Sequence, residues 1–93
     1  MTTIEVDCRP TATGWSCSVR LAEPGASQTR HEVTVALADL ERLAPGTTDP
    51  TDLVRRSFAF LLRREPKESI LGRFDLPAIS RYFPEFETEI RDD

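Results

Sequence analysis

Cys8, Cys17 and His31 are the side chains of this sequence best suited to hold a metal ion or to carry thiol chemistry. All three fall at inward positions if the segments around them are strands. Ile4, Val6 and Cys8 alternate with Glu5, Asp7 and Arg9. Trp15, Cys17, Val19 and Leu21 alternate with Ser16, Ser18 and Arg20. His31, Val33, Val35 and Leu37 alternate with Arg30, Glu32, Thr34 and Ala36. A period of two buries one face and wets the other. Three ligands fall one short of a structural zinc site, and there is no C-x-x-C spacing. The plainer expectation is two small buried thiols and a histidine at the sheet margin with its ring partly wet. A Cys8–Cys17 disulfide is open to them if they face each other, but a reducing compartment argues against it, so free thiols are expected. No cofactor is expected.

Catalysis finds little to work with. The single histidine has no evident nucleophile partner, and Glu85, Glu87 and Glu89 lie in an acidic stretch where nothing distinguishes one carboxylate from the next. Four glycines supply no phosphate-cradling loop. The residues point away from an enzyme.

Two other groupings suit binding. Between Thr51 and Phe74 stand six basic residues and three acidic ones, in a chain of net charge −4. Arg55, Arg56 and Arg63 share one side of a helical wheel, and Lys67 follows, forming a candidate basic face for phosphate or an acidic protein. A charge run is more often a solvated face, and the acidic C-terminal stretch is placed to fold back on it. The string Arg81-Tyr82-Phe83-Pro84-Glu85-Phe86 gathers three aromatics in five residues. With Phe60 on the preceding helix, Tyr82, Phe83 and Phe86 form a candidate partner surface. They could equally plug a small core. Exposure of Tyr82 and Phe86 decides between the two.

The elements that position these groups can be read along the chain. Pro24-Gly25 signals a type II turn between the second and third strands. Short links favour an antiparallel meander. Placing Cys8 opposite Cys17 sets Val6 against Val19 and Ile4 against Leu21. Placing Val19 opposite Val33 sets Cys17 against Val35 and lines up Glu5, Arg20 and Glu32 on the wet face. Asp39 is expected to cap a short helix, Leu40 to Ala44, stopped by Pro45-Gly46. Asp49-Pro50 opens the main helix, which ends near Arg64 ahead of Pro66. Its apolar residues Leu53, Val54, Phe58, Phe60, Leu61 and Leu62 cover roughly 200° of the wheel, where a helix on one sheet needs about 100°. The surplus must meet later segments, a second copy or a foreign protein. A short helix over Pro66–Phe74, another from Asp75 toward Phe83 with Leu76, Ile79 and Phe83 inward, and a last turn over Pro84–Ile90 are expected.

The chain thus reads as one α+β domain of 93 residues. A three-stranded antiparallel meander (1–37) precedes one main helix and two or three short helices (38–90) packed on one sheet face, then a frayed tail (91–93). A chain of this length buries about 60–65% of its unfolded surface, so a thin core is expected. Its composition is that of a globular protein, and no apolar run approaches the ~20 residues of a membrane span. The N-terminus lacks signal-peptide character, which leads to a cytoplasmic expectation with no membrane contact.

The strings EVTV (Glu32–Val35), SFAFLLRREPKESIL (Ser57–Leu71) and FDLPAISRYFPEF (Phe74–Phe86) resemble a group of short bacterial proteins of about this length with no assigned function. The resemblance implies a bacterial, cytosolic, stand-alone protein and brings no catalytic residues. A looser fold-level likeness is to HicB-type antitoxins, in which a small sheet precedes a helix. This chain lacks their glycine-rich, aromatic strand pattern and adds helices. Three functions follow as expectations: a non-catalytic protein-interaction or accessory module, binding another protein or itself; a regulator touching nucleic acid through the basic face; and a small enzyme or metal protein at Cys8, Cys17 and His31.

Overall fold

The computed structural model describes residues 2–92, and the side chain of Asp92 is not among the described parts. Alternating sequence produces three strands: β1 (Thr3–Pro10), β2 (Gly14–Ala22) and β3 (Thr29–Ala36). They form the expected antiparallel meander. Between β2 and β3, Ala26 N–H donates to Glu23 O at 3.1 Å, and Gly25 has φ +74°. Pro24 followed by a positive-φ glycine makes the anticipated type II turn.

The β1–β2 register is the expected one, with Cys8 opposite Cys17, Val6 opposite Val19 and Ile4 opposite Leu21. The β2–β3 register differs from expectation by two residues: Cys17 faces Val33, Val19 faces His31 and Arg20 faces Arg30. A slip of two preserves which side chains face inward, so hydrophobic alternation cannot choose between the registers. The anticipated Glu5–Arg20–Glu32 row is therefore broken. Glu5 keeps its ion pair with Arg20. Glu32 instead accepts a 2.7 Å hydrogen bond from the Ser18 hydroxyl opposite it.

Cys8 and Cys17 are joined in a disulfide, against the expectation of free thiols. Directly opposed antiparallel residues bring their Cα atoms close, here 4.0 Å apart. Disulfides persist in oxidising compartments and are rare in the cytosol, so this cross-link and the cytoplasmic expectation pull in opposite directions. The inward side chains of β1, Ile4, Val6 and Cys8, are only half-buried, whereas Cys17, Val19 and Leu21 of β2 are at most 2% exposed. The cross-link therefore pins the less protected strand. Only nine positions separate the two cysteines. Reduction should cost about 2 kcal/mol, measurable as a lower urea midpoint with dithiothreitol, with hydrogen exchange rising first in β1.

After β3 the chain differs from expectation at several points. Helix α1 spans Leu37–Leu43, so Asp39 lies inside its first turn rather than capping it. The main helix α2 spans Thr51–Leu62. Asp49 opens it, accepting from Thr51 N–H at 2.9 Å and from the Thr51 hydroxyl at 2.7 Å. The region expected as a helix over Pro66–Phe74 holds only a 3-10 turn at Lys67–Ser69, followed by a strand, β4 (Arg73–Asp75). β4 pairs parallel with β3, giving the mixed order β1-β2-β3-β4. The intervening helices supply the long crossover a parallel pair requires. Asp75 bonds the Thr34 hydroxyl across the new pair and makes no cap. A second 3-10 turn (Leu76–Ala78), α3 (Ile79–Tyr82) and α4 (Phe86–Asp92) complete the described chain. Arg91 and Asp92 of the expected frayed tail belong to α4; Asp93 lies outside the described residues.

The helices cover one sheet face, and the over-wide apolar surface of α2 is met within the chain. Leu53, Val54, Phe58, Phe60 and Leu61 are all at most 4% exposed. They join Val19, Leu21, Val33 and Val35 from the sheet, Leu40 and Leu43 from α1, and Phe86 and Ile90 from α4 in one cluster. The opposite sheet face carries Glu5, Asp7, Arg20, Arg30, Glu32, Arg73 and Asp75, none of them buried.

Candidate functional site

The trio Cys8, Cys17 and His31 does not form a metal centre. The two sulfurs are bonded to each other. His31 is 3% exposed rather than wet at the margin. Its Nδ1 donates to Leu71 O at 2.7 Å, and its Nε2 lies 2.9 Å from the Thr29 hydroxyl, which donates to it in the neutral tautomer. The ring also packs 5.4 Å from Phe58. His31 is thus a latch between β3 and the segment entering β4. No group of three or more metal-ligating side chains gathers among the described residues.

The expected basic face is largely absorbed into the fold. Lys67 is 4% exposed, with its ammonium 3.2 Å from Glu23 and 2.8 Å from Glu68. Sequence placed it on a helix beyond α2; the 3-10 turn instead folds it against the β2 end. Arg56 binds Asp52 at 3.0 Å and donates to Ile90 O at 2.8 Å. Arg64 lies over the Phe60 ring, 3.6 Å from its centroid, and pairs with Glu85 at 3.1 Å and Glu89 at 2.8 Å. Arg42 of α1 holds Glu87 at 2.8 Å. The acidic C-terminal stretch does fold back over basic residues. Arg55 and Arg63 remain exposed and form no ion pair among the described residues.

These pairs set a pH response. The Arg20 guanidinium lowers Glu5, the Lys67 ammonium lowers Glu68, and the Thr51 hydroxyl and N–H lower Asp49. Glu85 is lowered by its own backbone N–H and then by Arg64. A folded-state value below the unfolded one stabilises the fold above the ordinary carboxylate range, ~4, and that stability is lost as pH falls through the folded values. Lys67 is raised, chiefly by Glu68, so its contribution is present below ~10.4 and lost only in strong alkali. Melting temperature should fall as the pH drops below about 4. A rise there would contradict these pairings.

The candidate partner residues divide. Phe60 and Phe86 are fully buried. Their rings meet edge-on at 5.2 Å, and Phe60 meets Phe83 at 6.0 Å. Phe83 is half-buried, and Tyr82 is 66% exposed. Phe60 and Phe86 therefore belong to the core, and Tyr82 to the surface.

Tyr82 stands on the lip of a cleft of ≈ 320 Å³ between the 69–74 segment and α3. Leu61, Ile70 and Ile79 form its floor, each at most 6% exposed. Phe74 and Phe83 line its walls, and Leu71, 49% exposed, stands on the other lip. Leu71 is not among the residues the sequence singles out, because the expected helix over Pro66–Phe74 places Ile70, Leu71 and Phe74 together on one side. No local signal flags the strand, because Arg73-Phe74-Asp75 is too short to show a period.

No family model matches this chain, and no curated protein or solved structure matches it. No helix of the described residues is long and apolar enough to cross a membrane.

Proposed function

We propose that this chain is a non-catalytic protein-interaction module that receives a large apolar side chain of a partner protein in the cleft between Leu71 and Tyr82. One observation carries the reading. Of the three large apolar side chains exposed among the described residues, two, Leu71 and Tyr82, flank the same apolar cleft. Isolated exposed leucines are ordinary, but apolar side chains gathered at the mouth of a concave site are typical of contact surfaces. The resemblance to short bacterial proteins of unassigned function is compatible with an accessory role of this kind.

The test is a pair of surface variants, Leu71→Glu and Tyr82→Glu, checked first for unchanged melting. A partner identified with the wild-type chain is then purified and titrated against each form. Retained folding with affinity reduced about 100-fold or more supports the reading; equal affinity removes it.

The nucleic-acid alternative rests on Arg55 and Arg63, with Arg56 and Lys67 already engaged. Two free charges in an acidic chain supply a weak, strongly salt-dependent attraction. The metal or enzyme alternative has lost its thiols to the disulfide. The interaction reading is favoured for these reasons.

A further inference from the structure

Resting on the reading of the Leu71–Tyr82 cleft as a contact surface, we infer that its occupant is a second copy of this chain, joined through the free edge of β4. Among the described residues β4 is the last strand of the sheet, paired with β3 on one side only. Glu32 N–H donates to Gly72 O at 2.8 Å, and the register sets Glu32 opposite Arg73 and Thr34 opposite Asp75. In a parallel ladder alternate residues turn their backbone groups toward a given neighbour. Phe74 therefore serves β3, and the N–H and C=O groups of Arg73 and Asp75 point outward along the free edge.

Side chains follow the same alternation. Arg73 and Asp75 are exposed, and Asp75 bonds Thr34 of the open face. Phe74 turns inward, 6.0 Å from Phe58, and forms a wall of the cleft. The cleft thus borders the edge that has no partner.

A two-fold axis through Phe74 would lay β4 antiparallel against its copy. Directly opposite residues must share a face. With the axis at Phe74, Arg73 meets Asp75 of the second copy, and Asp75 meets its Arg73. The outward backbone groups belong to these same two residues, so each pair would exchange both of its main-chain hydrogen bonds. Moving the axis by one residue along the strand sets Arg73 against Arg73 or Asp75 against Asp75, which repel. Moving it by half a residue opposes side chains from different faces. Arg-Phe-Asp is thus self-complementary in one register, for backbone and charge together. The Phe74 walls would meet at the axis and extend the apolar surface lipped by Leu71 and Tyr82 into the second copy. Unprotected edges of this kind invite strand pairing. β1, the other edge, is longer, carries Glu5, Asp7 and Arg9 and ends in Pro10.

The test is sedimentation equilibrium of the full chain over a dilution series, with Arg73→Asp and Asp75→Arg measured separately and mixed. The wild type should dimerise with a dissociation constant of roughly micromolar order, given the short edge. Each single substitution replaces two attractive pairs by two repulsive ones and should weaken self-association about tenfold or more. An equimolar mixture of the two variants should restore the dimer, because every introduced aspartate then faces an arginine. That rescue also shows that both variants are folded. A wild type monomeric to about millimolar concentration, a dimer indifferent to either swap, or a mixture that fails to pair overturns the inference. Failure here with intact Leu71- and Tyr82-dependent binding of another protein removes only the second copy as occupant. Loss of both removes the cleft reading as well.

Discussion

Phe60→Ala is expected to cost about 3–5 kcal/mol and leave the chain with little stability at room temperature. Phe60 is fully buried between the Phe86 ring at 5.2 Å and the Phe83 ring at 6.0 Å, with the Arg64 guanidinium 3.6 Å from its centroid. Truncation removes the buried ring, its edge-on aromatic partners and the surface on which Arg64 rests. The guanidinium loses the support that aims it at Glu85 and Glu89, so the tie between α2 and α4 weakens with it. A domain of this size has about 5 kcal/mol of stability in total, which makes a loss of this size decisive. Circular dichroism with urea titration measures it. Tyr82→Ala, at a surface position, should shift stability by no more than about 0.5 kcal/mol. Equal effects of the two would contradict the division of the aromatic string into a core part and a surface part.

Gly14→Ala should cost about 3 kcal/mol for a single added methyl group. Gly14 begins β2 opposite Ala36, at the point where β3 gives way to α1. A Cβ there would sit 2.1 Å from Val35 O, 2.9 Å from Ala36 Cα and 3.0 Å from Leu37 N. All three are backbone atoms, so no side chain can swing aside and the strand end must move. Two hydrogen bonds depend on this corner: Thr11 N–H donates to Gly14 O at 2.8 Å, and Leu37 N–H donates to Thr13 O at 3.1 Å. The matched control is Gly72→Ala, whose added Cβ meets nothing within 4 Å. It should be neutral or stabilising by up to about 1 kcal/mol through the unfolded chain. Denaturant midpoints of both proteins decide the matter, and a Gly14→Ala protein as stable as the Gly72→Ala protein would falsify the close-packing account.

How much of this could be read from residues alone follows from the range of the signals. The meander came through because alternation is local: Val6, Cys17, Val19, Val33 and Val35 declare their faces without reference to anything else. The start of α2 came through for the same reason, since Asp49 needs only Thr51, two residues on. The β2–β3 register did not, because both registers bury the same faces and turn geometry and packing choose between them. β4 was invisible for a related reason. Three residues, Arg73-Phe74-Asp75, carry no periodicity, and they become a strand only because β3 offers a bare edge across 40 residues of chain.

The candidate site shows the same division. Tyr82, Phe83 and Phe86 group together in sequence because they are large and near one another, with Phe60 on the preceding helix. Burial then separated them, placing Phe60 and Phe86 at 0% exposure and Tyr82 at 66%. Composition records the sign of Lys67 but not that Glu23, far away in sequence, comes within 3.2 Å of it. By itself the sequence determined the class of fold, the inward and outward faces of three strands and the opening of the main helix, all set by interactions within a few residues. Tertiary structure alone decided the fourth strand, the cleft beside it, the cysteine cross-link and which aromatics reach the surface. Those depend on contacts between distant segments, whose geometry exists only once the chain has closed on itself.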